Sequence, residues 1–429
     1  MKEYDVIIIG GGPGGYAAGV SACAAGLKTA LVEKEYVGGT CVNWGCIPTK
    51  ALIRYAKLRH DAKDGPAPTY AEASAESMKV AQERRDHIQA LLQSSGGDLF
   101  AGEARLVSAN EVAVSPSGET LRGRNIIVAT GSSPRRLPIA EYGEHVVTTR
   151  EALLFDRAPK SAVVVGSGAT GIELATVWNR FGTKVTVFEM LPFIMGLGDV
   201  ELSEAAKAHF RSEGMAVETG ISVEKIAQTP DGAEVTYKDA QGSHTITAEI
   251  VLVATGVVPN SQNLGLEALG VEIQRGYIQV DDQMRTSVPN IYAVGDVTGK
   301  LALAFAASKQ GKAAVVSIAG GVPPKIEYAK IPRCIFSAIE SAAAGLSEQQ
   351  ARDQGYTVTI RREQIASHDG RTVGLGGGVF KLVIDDATGK ALGITMLGVD
   401  AADKIAGAAR LITLGTPAEA IIDTVCSGR

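Results

Sequence analysis

The chain has 429 residues, enough for several domains with full cores, and 45% of them are hydrophobic, which excludes a disordered polymer. Forty-two basic against 47 acidic residues leave a net charge of −5 with no long basic run, which argues against nucleic acid or an anionic membrane as main partner. Five cysteines (Cys23, Cys41, Cys46, Cys334, Cys426) are too few for a secreted disulfide framework. The start, Met1-Lys2-Glu3-Tyr4-Asp5, is too acidic for a signal peptide, and no apolar run approaches the ~18 residues of a membrane span, so a cytoplasmic protein is expected.

Residues 4 to 33 read strand, turn, helix, strand. Tyr4-Asp5-Val6-Ile7-Ile8-Ile9 reads as a strand, Gly10-Gly11-Gly12-Pro13-Gly14-Gly15 follows, then an Ala-rich helix and Thr29-Ala30-Leu31-Val32-Glu33. Gly10 allows the tight turn, Gly12 lets backbone approach a pyrophosphate, and Gly15 permits close packing of helix on strand. Glu33, 18 residues beyond Gly15, is placed to accept hydrogen bonds from a ribose. A second copy follows, 156 residues on at every landmark: Gly166, Gly168, Gly171 and Glu189. Two dinucleotide sites are therefore expected.

Each copy closes on a similar strand and turn, Ile126 to Gly131 in the first and Val251 to Gly256 in the second. The span from first glycine to that Ala-Thr-Gly is 31 residues longer in the first copy, consistent with an insertion at about residues 38 to 100. That insertion opens with Gly38-Gly39-Thr40-Cys41-Val42-Asn43-Trp44-Gly45-Cys46-Ile47-Pro48-Thr49-Lys50. Two thiols five positions apart, before an uninterrupted helical run, read as a redox pair at a helix N-terminus, where the dipole favours thiolate. A disulfide must touch the ring it exchanges electrons with, so the copy with the insertion is expected to bind a flavin and the other a diffusible nicotinamide. No Lys or Arg occurs from Met190 to Val200, so the 2′-phosphate of NADPH would meet Glu189 and no cation; NAD is the expected coenzyme.

The segment from Gly38 to Lys50 resembles the redox-active disulfide segment of the class I pyridine nucleotide-disulfide oxidoreductases, which include dihydrolipoamide dehydrogenase, glutathione reductase and mercuric reductase. The resemblance covers essentially the whole chain. It implies an α/β fold of two Rossmann-like, three-layer dinucleotide-binding domains and a C-terminal α+β interface domain that makes a homodimer. The expected boundaries are 1–145 and 263–328 for the FAD-binding domain, 146–262 for the NAD-binding domain and 329–429 for the interface domain. Pro289 to Val297 is similar to the family's second flavin motif, with Asp296 on the ribityl chain and a helix from about Leu301 facing the flavin. Where many members have a histidine after this aspartate, the sequence runs Leu303-Ala304-Phe305, and backbone amides are the expected substitute.

By the family pattern, Cys46 is the flavin-proximal thiol, Cys41 the interchange thiol, Lys50 the cation near flavin N5 and Glu173 its partner. FAD contacts are implied at Gly10, Gly12, Gly15, Glu33, Thr40, Lys50, Ala104, Thr130, Gly131, Ser132, Asp296 and Ala304. NAD contacts are implied at Gly166, Gly168, Gly171, Glu189 and Gly256. No metal is expected. Cys23 and Cys334 read as packing residues, and a lone Cys426 cannot make a second redox pair.

One family element has no match. A His-Pro-Thr segment with a glutamate five residues after the histidine supplies the base in dihydrolipoamide dehydrogenase; its histidine aligns near Gly428, and none of His60, His87, His145, His209, His244 and His368 lies in the last 60 residues. The reading expected first is an FAD-dependent, NAD-linked dithiol/disulfide oxidoreductase of the dihydrolipoamide dehydrogenase type, acting on a small thiol or a lipoyl-bearing protein with another base. The alternatives are a diaphorase-like NADH reductase of a quinone, metal or protein acceptor, a partner protein bringing its own base, a shortened tail, and a flavin-bound sensor without turnover.

Overall fold

The computed structural model describes residues 1–62, 65–365 and 378–426. His368, Gly428 and Arg429 lie outside the described residues, as does the side chain of Cys426. The chain forms two compact units, Met1–Pro48 with Glu76–Pro134 and Val257–Tyr328, and Thr49–Ala75 with Arg135–Gly256 and Ala329–Arg429.

The first unit is built on a sheet whose central strand, Lys2–Ile9, pairs in parallel with Thr29–Glu33 on one side and Glu119–Val128 on the other. Ile7 and Ile8 are fully buried between the flanking layers, as a strand covered on both faces requires. Asp98–Ala101 and Ile291–Ala293 extend the parallel sheet at its two sides, and Glu103–Ser108 and Glu111–Ser115 add an antiparallel meander. The chain leaves Lys2–Ile9 at the point where the strand order reverses, which is where open α/β sheets bind ligands. Helix α1 (Pro13–Ala24) starts there. The insertion then supplies α2 (Gly39–Asn43), α3 (Cys46–Asp61) and α4 (Tyr70–Ser94), of which Thr49–Ala75 counts with the second unit.

The second unit repeats the plan. Ala216–Thr219, Lys184–Glu189, Ser161–Val165, Ile250–Val253 and Val146–Thr148 form a parallel sheet in that order. Trp178 and Phe210, both fully buried, anchor its largest apolar cluster. Five strands form an antiparallel sheet in the order Arg333–Ile335, Glu340–Gly345, Ala391–Gly398, Gly378–Asp385, Val358–Ile365. The helices Ala401–Thr413 and Ala418–Cys426 pack Ile405, Ile412 and Ile421 into a separate apolar cluster with Phe380, Leu382 and Met396 of this sheet. The α/β class with two Rossmann-like sheets and a C-terminal α+β part is the one expected.

Two local details differ from expectation. The helix after Asp296 begins at Ala304, three residues late, because Leu303 is extended (φ −139°, ψ 139°) and acts as its N-cap. The cysteine pair does not share one helix terminus. Gly38 and Gly39 (φ 96° and 58°) start a separate turn, α2, which carries Cys41 and ends at Trp44 (φ −137°); only Cys46 heads α3.

Candidate active site

In the first unit the glycine turn is fixed by contact distances. At Gly10 (φ 104°) a Cβ would lie 2.4 Å from the Ala129 carbonyl oxygen, and at Gly15 it would lie 1.9 Å from that of Gly10. Gly12 is the N-cap of α1 and brings no side chain to the cap, and the first turn carries no acid, so the helix end is open to an anion. Glu33 is oriented by two backbone donors: Gly11 N–H to Oε2 at 2.7 Å and Glu35 N–H to Oε1 at 2.8 Å. The redox segment seats directly on this turn. A Cβ on Gly39 would come within 2.7 Å of the Gly12 Cα.

Thr40 and Cys41 lie in α2, with Cys41 half-buried; Cys46, exposed, is the first residue of α3. No acidic residue occupies the first turn of α3, and Cys46 sits at the positive end of that helix, which favours thiolate. The Ala-Thr-Gly turn is tied down by Asn260: Thr130 Oγ1 donates to the Asn260 carbonyl (2.6 Å), and Asn260 Nδ2 donates to that of Thr130 (3.0 Å). Gly131 has φ 67°. Ser132 Oγ donates to Asp296 Oδ2 at 2.6 Å, and burial pushes the Asp296 carboxyl up from its ordinary value. Ala304 is the first residue of its helix, and Phe305 beside it is 77% exposed. Ala104 packs its side chain in the apolar cluster with Leu106 and Val112, leaving its backbone for any ligand contact.

The second unit holds the other turn. At Gly166 (φ 105°) a Cβ would stand 2.5 Å from the Ala254 oxygen, and at Gly171 it would stand 2.0 Å from the Gly166 oxygen. Gly168 caps the helix Ala169–Arg180 and faces open space, with nothing within 4 Å of where a Cβ would sit. Glu189 accepts from Ser167 N–H (2.9 Å) and Ser167 Oγ (2.6 Å) on Oε2 and from Leu191 N–H (2.9 Å) on Oε1. Gly256 (φ 100°) accepts from Arg135 N–H. The neighbouring Thr255 hydroxyl is buried without a hydrogen-bond partner among the described residues. Open cradle, ribose-facing acid and orphaned hydroxyl suit a dinucleotide here, as glycine cradle, Glu33 and Asp296 do in the first unit.

Glu173, in the second turn of the helix after Gly171, is 3% exposed at its side chain and holds Lys50 through both oxygens, at 2.8 and 2.7 Å. Phe336 N–H donates to its Oε1 at 3.0 Å, and the Lys50 ammonium lies 5.0 Å from the centroid of the Phe336 ring. Burial raises the Glu173 carboxyl above its ordinary range, while Lys50 and the Phe336 amide pull it back. Cys334 is half-buried against an apolar cluster, its thiol pushed up to about 11 by burial, which fits an inert packing residue.

Sequence reasoning missed the polar residues that brace these groups. Gln310, fully buried, accepts from Gly295 N–H (2.5 Å) and donates to Tyr328 Oη (3.0 Å), fixing the turn into Asp296. Asn43 and Arg85 brace the redox segment. A glutamine amid the alanines of residues 304 to 319 is the one signal that was available.

Two nucleotide turns, one with a cysteine pair seated on it, define a flavin- and nicotinamide-linked disulfide oxidoreductase. Residues 4–311 match the pyridine nucleotide-disulphide oxidoreductase family, and residues 331–427 match that family's dimerisation domain. The dihydrolipoyl dehydrogenase of Chlorobaculum tepidum is 40% identical over 439 aligned residues, covering 99% of this chain and 93% of that protein. That of Geobacillus stearothermophilus is 37% identical with the same coverage. Among solved structures, LpdA from Mycobacterium tuberculosis superposes with a TM-score of 0.87 at 26% identity, over 97% of this chain and 94% of that one. The flavoprotein disulfide reductase RclA from Escherichia coli, solved as a Cu(II) complex, gives 0.87 at 25% identity over the full length of both. The chain belongs to the pyridine nucleotide-disulphide oxidoreductase family. It is an FAD- and NAD-dependent disulfide oxidoreductase of the dihydrolipoyl dehydrogenase type. No helix among the described residues is long and apolar enough to cross a membrane.

Proposed function

We propose that Cys41 and Cys46 are the redox couple of a cytoplasmic homodimer that exchanges electrons between NAD and a dithiol borne by a lipoyl group or a small thiol. The observation that carries this reading is the seat of Gly39 on Gly12, which sets the cysteine turn against the first nucleotide cradle. Residues 1–145 and 263–328 bind FAD in this reading, 146–262 bind NAD, and 329–429 pair with a second copy. The match of residues 331–427 to a dimerisation domain supports the last assignment. Thr130, Gly131, Ser132 and Ala304 join Asp296 around the FAD.

Bound FAD supplies a two-electron relay between nicotinamide and sulfur. Glu33 and Glu189 each orient a ribose by accepting its hydroxyls, and the caps at Gly12 and Gly168 offer backbone N–H groups to a pyrophosphate. Cys46, at the positive end of α3, is the thiol held as thiolate. Cys41 is the exchanging thiol: its sulfur attacks an external disulfide to form a mixed disulfide, the first external sulfur leaves with the proton Cys41 gives up, and Cys46 then attacks the Cys41 sulfur, closing the Cys41–Cys46 bond and releasing the second external sulfur, which takes a proton from water. Lys50 brings a cation one turn beyond Cys46, and Glu173 fixes the direction of its ammonium.

Anaerobic stopped-flow tests this directly. The protein is reduced with NADH while the flavin and long-wavelength bands are followed, then mixed with lipoamide or a quinone. Fast reduction followed by dithiol turnover is expected. Reoxidation by quinone alone would reject the lipoyl-type substrate. Cys46→Ser is expected to abolish the long-wavelength band of the two-electron-reduced enzyme, and an unchanged band would reject Cys46 as the flavin-proximal thiol.

A further inference from the structure

Helix α2 is five residues long, too short to hold itself. What holds it is Asn43, which sits between the two cysteines and is 3% exposed. Its Nδ2 donates back to the carbonyls of Val37 (3.1 Å) and Gly39 (2.9 Å), closing the turn on which Cys41 rides. Its Oδ1 accepts from Arg85 Nη1 at 3.2 Å. Arg85 comes from α4, 42 residues away in sequence. Its guanidinium lies 4.2 Å from the centroid of the Tyr36 ring and donates to Gln82 Oε1. Tyr36 in turn lies 6.0 Å from Trp44, ring to ring. One side chain therefore links α4, the residue two before Gly38 and the amide that closes the cysteine turn.

We propose that Arg85, acting through Asn43, is a positioning residue for the Cys41–Cys46 couple, keeping rigid the turn on which Cys41 rides. The proposal rests on these two cysteines being the redox pair. A disulfide tolerates a narrow range of Cα and Cβ separations, whereas two thiols tolerate many. With Arg85 in place the Asn43 amide is satisfied on both its nitrogen and its oxygen. Without it a buried oxygen is left unpaired, the amide turns to find another donor, and the bonds to Val37 and Gly39 are lost with it. The closed form loses more than the open one, so the pair becomes easier to reduce. A purely electrostatic role has the opposite sign: a guanidinium that stabilised thiolate would, when removed, make the pair harder to reduce.

The test is the equilibrium of the FAD-loaded protein with glutathione, in which two glutathione thiols are oxidised to their disulfide as the Cys41–Cys46 bond is reduced to two thiols. Arg85→Met is expected to shift this equilibrium about tenfold toward the dithiol, about 30 mV for a two-electron couple. An unmoved equilibrium with full FAD content, or a shift toward the disulfide, would overturn the proposal. In the double variant with Asn43→Ala the shift is expected to equal that of Asn43→Ala alone; additive shifts would show that Arg85 does not act through Asn43. If Arg85→Met does not retain FAD, Tyr36→Leu, which removes only the ring beneath the guanidinium, is expected to move the equilibrium the same way by a smaller factor, and no movement would overturn the proposal. If wild-type protein yields no thiols on reduction, or yields the same number after Cys41→Ser, the redox-pair reading itself has failed.

Discussion

The two glycine turns are almost the same object built twice. Their first glycines have φ 104° and 105°, their N-cap glycines have ψ −176° and −178°, and a Cβ on the third glycine would meet the first glycine's carbonyl at 1.9 and 2.0 Å. What differs is the surroundings. Gly12 has the redox segment against it, whereas Gly168 has open space. Position 17 in the first helix is a buried alanine, and its counterpart 156 residues on is Glu173. The shared part of the motif has the form of a dinucleotide cradle; in the proposed reading, the residues added around it set apart the FAD turn from the NAD turn.

The sharpest way to break the parallel is the third glycine of each turn. Gly15→Ala and Gly171→Ala create the same clash, which no side-chain rotation relieves because the opposing atom is backbone. Gly15→Ala is expected to yield protein without FAD, measured by absorbance after purification. Gly171→Ala is expected to keep FAD and lose about 100-fold in NADH affinity, on the order of 3 kcal/mol. Equal loss of FAD in both would mean that the turns do not serve separate nucleotides.

Glu173 sharpens the comparison from another side, because it can be judged by stability as well as rate. Its carboxyl is raised by burial, so the folded state holds its proton more tightly than the unfolded chain. The stability this contributes is complete below the ordinary carboxylate range and is lost as pH rises through the raised value. Glu173→Gln has no such loss. The difference in urea midpoint, variant minus wild type, is therefore expected to grow as pH rises from acid to neutral, while reduction of the flavin by NADH slows by on the order of tenfold as Lys50 loses its charged partner. A difference independent of pH would show that the carboxylate is not strained by burial.

How much of this could be read in the chain follows from what each feature demands. Gly10, Gly15, Gly166 and Gly171 were legible because backbone contact forbids any other residue, and such a demand leaves a fixed spacing. The seat for the redox segment was legible as an insertion, because the two copies otherwise keep step. The separation of Cys41 from the helix headed by Cys46 was not, since it depends on Gly38, Gly39 and Trp44 adopting dihedrals that no periodicity announces. Nor were Arg85 on Asn43 or Gln310 on Gly295: a single hydrogen bond between side chains or turns far apart in sequence leaves no repeat. Phe305, in the stretch where a histidine is absent from this sequence, is exposed at its helix start.

The coenzyme acid gives the finer contrast. Glu33 and Glu189 each take backbone donors on both oxygens, but only Glu189 takes a hydroxyl as well, from Ser167, whose counterpart is Gly11. Glu189→Ala is expected to weaken NADH by tenfold or more while NADPH, which gains relief from the carboxylate, loses less; equal loss would remove the carboxylate from coenzyme choice.

Ser167→Gly makes the second turn match the first and is the smallest change of the set. The Ser167 and Leu191 amides still hold the carboxylate, so the variant gives up one hydrogen bond to a charged acceptor and keeps its orientation. The freed oxygen can then accept a second ribose hydroxyl, which offsets part of the loss. A net change of about 1 kcal/mol, about fivefold in the NADH dissociation constant, is expected with FAD content unchanged. A loss as large as that of Glu189→Ala would show that the hydroxyl, and not the backbone, orients the acid in the second copy, and that the two turns differ in how they hold their carboxylates as well as in what surrounds them.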